Sequence, residues 1–292
     1  MNRQLYYDLV LYLSGREITD GEQNEWTRNL LSTMGRHFEI QGTILYRKQG
    51  RLSIPVIHED KKQEVIKLAH NHPLSGHMGI DNTHFRLKEE AWWPGMQEDI
   101  KEYIRCCDTC QKRAKNKEAG VANSAKMATH PFEHIGIDVM GPLPVTATGR
   151  RYIILGVDFF TKYLEGIAVE EADAQTVAQF IYSDIICRHG VPQQLTSDRG
   201  TEFNNELIQE LSRTYHIQHI RTTAYHPQGN GQTERMNQTI KNVLAKLIKK
   251  ENQWDHYMES ALFAVRTIRS KSTEFSPFEL VYGRKPRREY FV

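Results

Sequence analysis

Apolar positions change their period once along this chain, near residue 130. Upstream the spacing is helical. Val65, Ile66, Leu68 and Ala69 form one apolar face starting from Lys61, and Asn71-His72-Pro73 ends it. Gly76-His77-Met78-Gly79 opens a second helix carrying Phe85 and Leu87, and a third runs through Asp99, Ile100, Tyr103 and Ile104 into Cys107 and Cys110. Residues 1–52 mix apolar and charged positions and predict a small helical unit with a hairpin near Phe38–Ile54.

Downstream, strands and helices mix. Residues 134–139, 152–157 and 163–169 predict three successive strands, joined by turns at Thr148-Gly149-Arg150 and Phe160-Thr161-Lys162. Ala172–His189 predicts a helix with Val177, Phe180, Ile181, Ile185 and Ile186 inward and Cys187 as a core thiol. Gly190-Val191-Pro192 breaks it, and Gln194–Ser197 is a short strand delivering Asp198. A helix over Asn204–Tyr215, with Glu202 as its cap, leads to a strand at Ile217–Ile220. Two more helices follow, Glu234–Lys250 with Ile240, Val243, Leu244, Leu247 and Ile248 inward, and Trp254–Arg269. Periodicity by itself supports an α/β fold with a mixed sheet.

Composition narrows the class. With 292 residues, 39% of them hydrophobic and 25% charged, the chain fits about two globular domains. No stretch reaches the ~18 uninterrupted apolar residues of a membrane helix, and the acid at Asp8 breaks any secretory pattern, so no membrane partner is expected. The net charge of +2 hides an asymmetry: residues 235–292 carry twelve Lys or Arg against six Asp or Glu. A second basic run lies at Lys112–Lys117. Such stretches beside an acidic site suit a polyanion, although an ordinary solvated face would read the same way.

Three of the four cysteines fall within five residues, too close to staple a fold and well placed for metal. His70 and His77 are separated by six residues, Cys107 and Cys110 by two, a Cys-x-x-Cys spacing that offers two sulfurs from one turn. Two imidazoles and two thiolates make a closed tetrahedral Zn²⁺ site, structural rather than catalytic because no position is left for water. His72 in place of His70, and Cys106 in place of Cys107, remain open at this stage. Three acids then stand out. Asp138 ends the apolar run Ile135–Met140, Asp198 sits in Leu195–Phe203, and Glu234 follows a Gly-rich turn, with 35 residues between it and Asp198. Carboxylates from two strand ends and one helix start can converge on divalent metal, the ligand set for phosphoryl transfer.

The local strings go further. Gly76-His-Met-Gly79, Trp92-Trp-Pro-Gly-Met96, Cys107-Asp-Thr-Cys-Gln111, Asp138-Val-Met-Gly-Pro-Leu143, Ser197-Asp-Arg-Gly-Thr-Glu-Phe203, Tyr225-His-Pro-Gln228, Gly231-Gln-Thr-Glu-Arg235 and Ser276-Pro-Phe-Glu-Leu-Val-Tyr-Gly283 together resemble a retroviral-type integrase of a Ty3/gypsy-like LTR retrotransposon. The resemblance covers roughly residues 60–288. It implies an RNase-H-like integrase core, a mixed five-stranded sheet with flanking helices, preceded by a small helical HHCC zinc-binding domain. The corresponding division is an N-terminal extension over 1–60, the zinc domain over 61–115, a linker over 116–130, and the core with C-terminal helices over 131–292.

By the same resemblance Asp138 bridges two Mg²⁺ (or Mn²⁺) ions, with Asp198 on one and Glu234 on the other. The implied activity is DNA integration: a polynucleotidyl transferase of the DDE type trims 3′ ends of element DNA and joins them to target DNA. Tyr225 and Gln228 in the turn before Glu234, and Asn237 and Lys241 on one face of the helix after it, are the candidate DNA contacts. DNA, other copies of the chain and, further off, RNA are the expected partners. Action in the nucleus after synthesis in the cytoplasm is implied, and Arg284-Lys-Pro-Arg-Arg288 is a weak candidate import signal. Family members usually continue into a small β-barrel, so the chain is expected to be a piece of a longer polyprotein. Two other readings stand beside this one, a domesticated or inactive nucleic-acid-binding protein and an RNase-H-type nuclease. The zinc module and the 35-residue spacing count against the nuclease.

Overall fold

The computed structural model describes residues 3–15, 25–113, 128–222, 231–270 and 273–287. Apart from the short Pro73–His77 turn, the residues up to Gln111 form one compact unit and those from Lys112 onward another.

The first unit begins with helices α1 (Arg3–Leu13) and α2 (Glu25–Gly35). They pack on a three-stranded antiparallel meander of β1 (Phe38–Gln41), β2 (Ile44–Gln49) and β3 (Leu52–Pro55) around Leu9, Leu31, Phe38, Leu45 and Val56. The expected hairpin therefore has a third strand. Gly42 and Gly50, both at positive φ, make the two tight turns, and the second one adds Leu52–Pro55 to the sheet.

Four helices follow: α3 (Lys62–Asn71), α4 (Ile80–Leu87), α5 (Met96–Arg105) and the short α6 (Asp108–Gln111). The first three enclose a second small core of Val65, Ile66, Ala69, Leu87, Trp93, Ile100 and Ile104. Leu68, expected on that inner face, is 36% exposed, because it lies on the flank of α3 beyond the arc that Val65, Ile66 and Ala69 bury.

The second unit is built on a five-stranded sheet. Its strands are β4 (His134–Met140), β5 (Tyr152–Asp158), β6 (Leu164–Val169), β7 (Gln194–Ser197) and β8 (Gln218–Arg221), in the order β6-β5-β4-β7-β8. The first three pair antiparallel, while β4–β7 and β7–β8 are parallel. This is the mixed sheet expected of an RNase-H-like core. The crossover into the parallel half is helix α7 (Ala174–Phe180), which runs through a π-turn over Ile181–Ile186 into α8 (Cys187–His189). The uninterrupted helix expected over 172–189 is thus widened in its second half. With that register change Cys187 is exposed rather than a core thiol, whereas Phe180, Ile181 and Ile185 stay buried.

Helix α9 (Glu206–Thr214) connects β7 to β8. Its cap is Asn205, whose Oδ1 accepts from Ile208 N at 3.0 Å, and not Glu202; Asn205 also donates to Glu202 O. Helix α10 (Gly231–Leu247) starts three residues before Glu234 and buries Ile240, Val243, Leu244 and Leu247. The last predicted helix divides into a 3₁₀ segment over Glu251–Tyr257 and α11 (Met258–Arg266), and α12 (Pro277–Tyr282) follows.

One buried ion-pair cluster ties these layers together. Glu165 on β6, 5% exposed, accepts from Arg266 Nη2 at 2.6 Å and contacts His189 Nε2 at 2.8 Å. Arg266 also lies over the Tyr163 ring. The carboxylate is satisfied from two helices, as burial of a charge requires.

Candidate metal centre and carboxylate site

The parallel register between β4 and β7 places the first two candidate acids. Ile135 pairs with Leu195 and Gly136 with Thr196. Asp138 and Asp198 each lie two residues beyond that last pair, at the same level on adjacent strands, whose spacing is about 4.8 Å. Asp198 is turned by a bond from Gly200 N to its Oδ1 at 2.9 Å.

The third acid arrives on α10. Gly136 is what lets that helix approach: a Cβ there would lie 2.3 Å from Thr233 Oγ1 and 2.4 Å from the Phe159 ring. Thr233 is fully buried against this glycine, and Glu234 is the next residue. Two residues without chemistry of their own thereby set the distance between the Asp138 strand and the Glu234 helix. Neither stood out in the sequence. A glycine within an otherwise β-branched and apolar strand is the signal that was available.

The electrostatics link the acids through Asp138. Burial pushes the Asp138 carboxyl up to about 6, and the charges of Asp198 and Glu234 push the same way, against a bond from Val139 N at 2.9 Å and one from Asn237 Nδ2. Asp198 and Glu234 thus both lie near enough to Asp138 to raise the cost of ionising it. A divalent cation would relieve the repulsion, so the donor set fits one.

Asn237, expected as a DNA contact, is 6% exposed and bonded to Asp138, and its Oδ1 is buried without a hydrogen-bond partner. Lys241 is exposed two turns along α10. Tyr225 and Gln228 lie outside the described residues, as does Arg288 of the basic cluster.

Two histidines support β7. His134 Nε2 contacts Thr196 Oγ1 at 2.7 Å, and His219 Nε2 contacts Ser197 Oγ at 2.8 Å. Ser197 Oγ donates to Asp198 O at 2.8 Å. Burial, reinforced by Arg221, lowers His219 to about 4, so it is a neutral strut beside the acids.

His70 lies in the last turn of α3, His77 in the turn before α4, Cys107 after α5 and Cys110 in α6. Their ligand atoms all lie within 4.8 Å of one another, a spacing that suits a single metal ion. His70 Nε2 and Cys110 Sγ are 3.3 Å apart, an edge of the right size, since Zn–N and Zn–S bonds give tetrahedron edges of about 3.3–3.8 Å. The alternatives His72 and Cys106 are not part of the group. Burial lowers the His77 pKa, favouring the neutral imidazole that ligates. Removal of zinc by a strong chelator is expected to melt this three-helix core while the mixed sheet persists. Circular dichroism and hydrogen exchange read the difference; a protein whose residues 62–111 stay equally protected after chelation would rule out a structural zinc.

Comparison with known proteins agrees with this layout. Residues 57–116 match the integrase zinc binding domain and residues 128–227 match the integrase core domain. The chain is 31% identical over 230 residues to the retrovirus-related Pol polyprotein from transposon 412 of Drosophila melanogaster, across 78% of this chain and 19% of that polyprotein. It is 26% identical over 242 residues to the human gypsy retrotransposon integrase-like protein 1, across 82% of this chain and 45% of that protein. The chain thus spans less than half of either relative. Among solved structures, a chain of the simian T-cell lymphotropic virus intasome in complex with PP2A regulatory subunit B56 gamma shares the fold, with a TM-score of 0.54, 14% identity and 76% of each chain covered. With a His₂Cys₂ zinc-binding domain leading into an RNase-H-like core, the chain belongs to the retroviral-type integrases, among the Pol integrases of gypsy-type retrotransposons and retroviruses.

Proposed function

We propose that the chain is a polynucleotidyl transferase that trims the 3′ ends of element DNA and joins them to target DNA, with Asp138, Asp198 and Glu234 as its catalytic carboxylates. The observation that carries this reading is that Asp138 on β4 and Asp198 just past β7 are matched in register, and that the charges of Asp198 and of Glu234 on α10 both act on the buried Asp138. Bound Mg²⁺ or Mn²⁺ would supply charge neutralisation and a sharpened nucleophile for in-line displacement at phosphorus. Asp138 is the acid on which the charges of both others act. The hydrogen bond from Asn237 holds one of its oxygens, and the Val139 amide holds the other. His134 and His219 keep β7 in register, so that Asp198 meets Asp138 at a fixed height.

A groove of about 780 Å³ along α10 supports DNA as the partner. Gln238, Lys241, Asn242 and Lys249 line it together with Lys112 and Arg113. Four cations against the single acid Glu251 suit a phosphate backbone. The relatives named for intasome and integrase proteins support a multimer of this chain on DNA; action in the nucleus is proposed with that role.

Incubating the purified protein with Mg²⁺ and a labelled duplex bearing the element's terminal sequence tests the reading. Joined products uphold it. Cleavage of an RNA–DNA hybrid without joining would make the protein a nuclease, and binding without chemistry a DNA-binding derivative. Lys241→Glu is expected to lower DNA affinity at low salt about tenfold and to reduce the slope of log affinity against log salt by about one. Undiminished affinity in a filter-binding or anisotropy titration would remove Lys241 from the DNA path.

A further inference from the structure

We propose that Lys162, in the turn between β5 and β6, is a positioning residue for the first turn of α10 and, through that turn, for Glu234. The inference rests on the proposed role of Glu234 and concerns how that acid is held.

Lys162 is not placed as a surface lysine. Its Nζ donates to Gln232 Oε1, two residues before Glu234, and to Phe159 O. The ammonium is half-buried. Burial lowers its pKa and Asp158 acts in the opposite direction. Two of its three donors are used inside the protein, which leaves little for a phosphate.

The backbone carries a second indication. Lys162 has φ 66°, in the left-handed region where glycine is unstrained and a side chain is not. A lysine kept at such a position, with its side chain bonded to the start of the helix, is the pattern expected where the side chain is needed.

The base of the turn is rigid. Asp158 is 1% exposed and accepts from Phe160 N at 3.2 Å, Thr161 N at 2.9 Å and Thr161 Oγ1 at 2.5 Å. Lys162 N donates to Asp158 O at 2.9 Å. Phe159, in the same turn, also borders the tight contact of Gly136 with Thr233. Consecutive residues of α10, Gln232 and Thr233, are therefore gripped by one hairpin and the strand beside it. The first amides of a helix lack intrahelical partners, so such a turn frays unless side chains hold it. Glu234 lies in that turn.

The test uses the full zinc-loaded chain without DNA, as Lys162→Ala, Gln232→Ala and the double variant. Hydrogen exchange of amides in the first two turns of α10 and Mn²⁺ binding by electron paramagnetic resonance are the readouts, with DNA affinity measured separately at low salt. Each single variant is expected to speed exchange there about tenfold and weaken Mn²⁺ binding about tenfold, with DNA affinity within about twofold of the parent. The double variant should be no worse than either single one, because both remove the same bond. Unchanged exchange and Mn²⁺ binding, or additive effects, would overturn the assignment. Loss of DNA affinity with exchange and Mn²⁺ binding intact would also overturn it, making Lys162 a phosphate contact. If the parent itself shows no Mn²⁺ binding that Asp138→Asn removes, the metal reading fails, and exchange alone still decides the role of Lys162.

Discussion

Asp138→Asn abolishes strand joining and at the same time makes the metal-free protein more stable. The first half follows from charge: removing the acid on which both others act takes away an anion that a divalent cation needs, and the expected loss of joining is at least about a thousandfold. The second half follows from the direction of the pKa shift. A carboxyl raised from 3.8 to about 6 binds protons more tightly in the folded state than in the unfolded chain. Its penalty is absent below about pH 4, grows as pH rises toward 6 and is complete above that. Two units would be about 3 kcal/mol, and partial exposure reduces this to about 2.

Asparagine carries no such penalty. It also finds a partner, since Asn237 Oδ1 is buried without one and an amide flip would let it accept from the new side chain. The melting temperature of the variant above pH 7 should therefore exceed that of the parent by about 5 °C. The gap should close below about pH 4, and it should shrink when Mg²⁺ is added, because only the parent gains from the metal. Calorimetry across pH, with and without Mg²⁺, reads all three. A variant less stable than the parent in metal-free buffer at neutral pH would show that Asp138 is not held in a repulsive site.

Much of this was legible in the chain because the relevant signals are local. Cys107 and Cys110 share one turn, and His70 and His77 fall at helix ends, so the zinc group could be read from spacing. The mixed sheet could be read from three strands joined by tight turns and a following crossover helix. What could not be read depends on contacts between distant residues or on small shifts in helical winding. The π-turn at Ile181–Ile186 changes which way Cys187 faces without altering the apolar pattern before it. Asn237 and Lys241 share a helical face in projection. Yet Asn237 is drawn inward to Asp138, and only the depth of the site distinguishes the two. The contact of Gly136 with Thr233 spans 97 positions of sequence and involves no residue with chemistry, so a motif search passes over it.

That contact carries the second large expectation. Gly136→Ala changes one hydrogen to a methyl, yet the methyl would lie 2.3 Å from Thr233 Oγ1 and 2.4 Å from Phe159 Cε1, distances real side chains do not sustain. Thr233 has a short β-branched side chain with little slack, and the Phe159 ring can turn aside only by leaving its packing on His134. Thr233 is 0% exposed on α10, and Phe159 belongs to the turn that Asp158 and Lys162 hold. Helix α10 must therefore move away from β4. Overpacking of this kind costs about 1–3 kcal/mol, which the unit can survive. The chemistry is less tolerant, since displacing a reacting group by about 1 Å can cost a hundredfold in rate. The variant is expected to remain folded, keep its zinc, keep DNA affinity within about threefold, and lose joining activity at least a hundredfold. Thr233→Gly in the same chain, which clears one of the two obstructing groups, should recover part of the loss although it removes a side chain from the helix. Joining assays on the parent, the single variants and the pair measure this, with zinc content and melting temperature as controls. Activity within a few-fold of the parent for Gly136→Ala would mean that the spacing between the Asp138 strand and the Glu234 helix does not depend on this glycine.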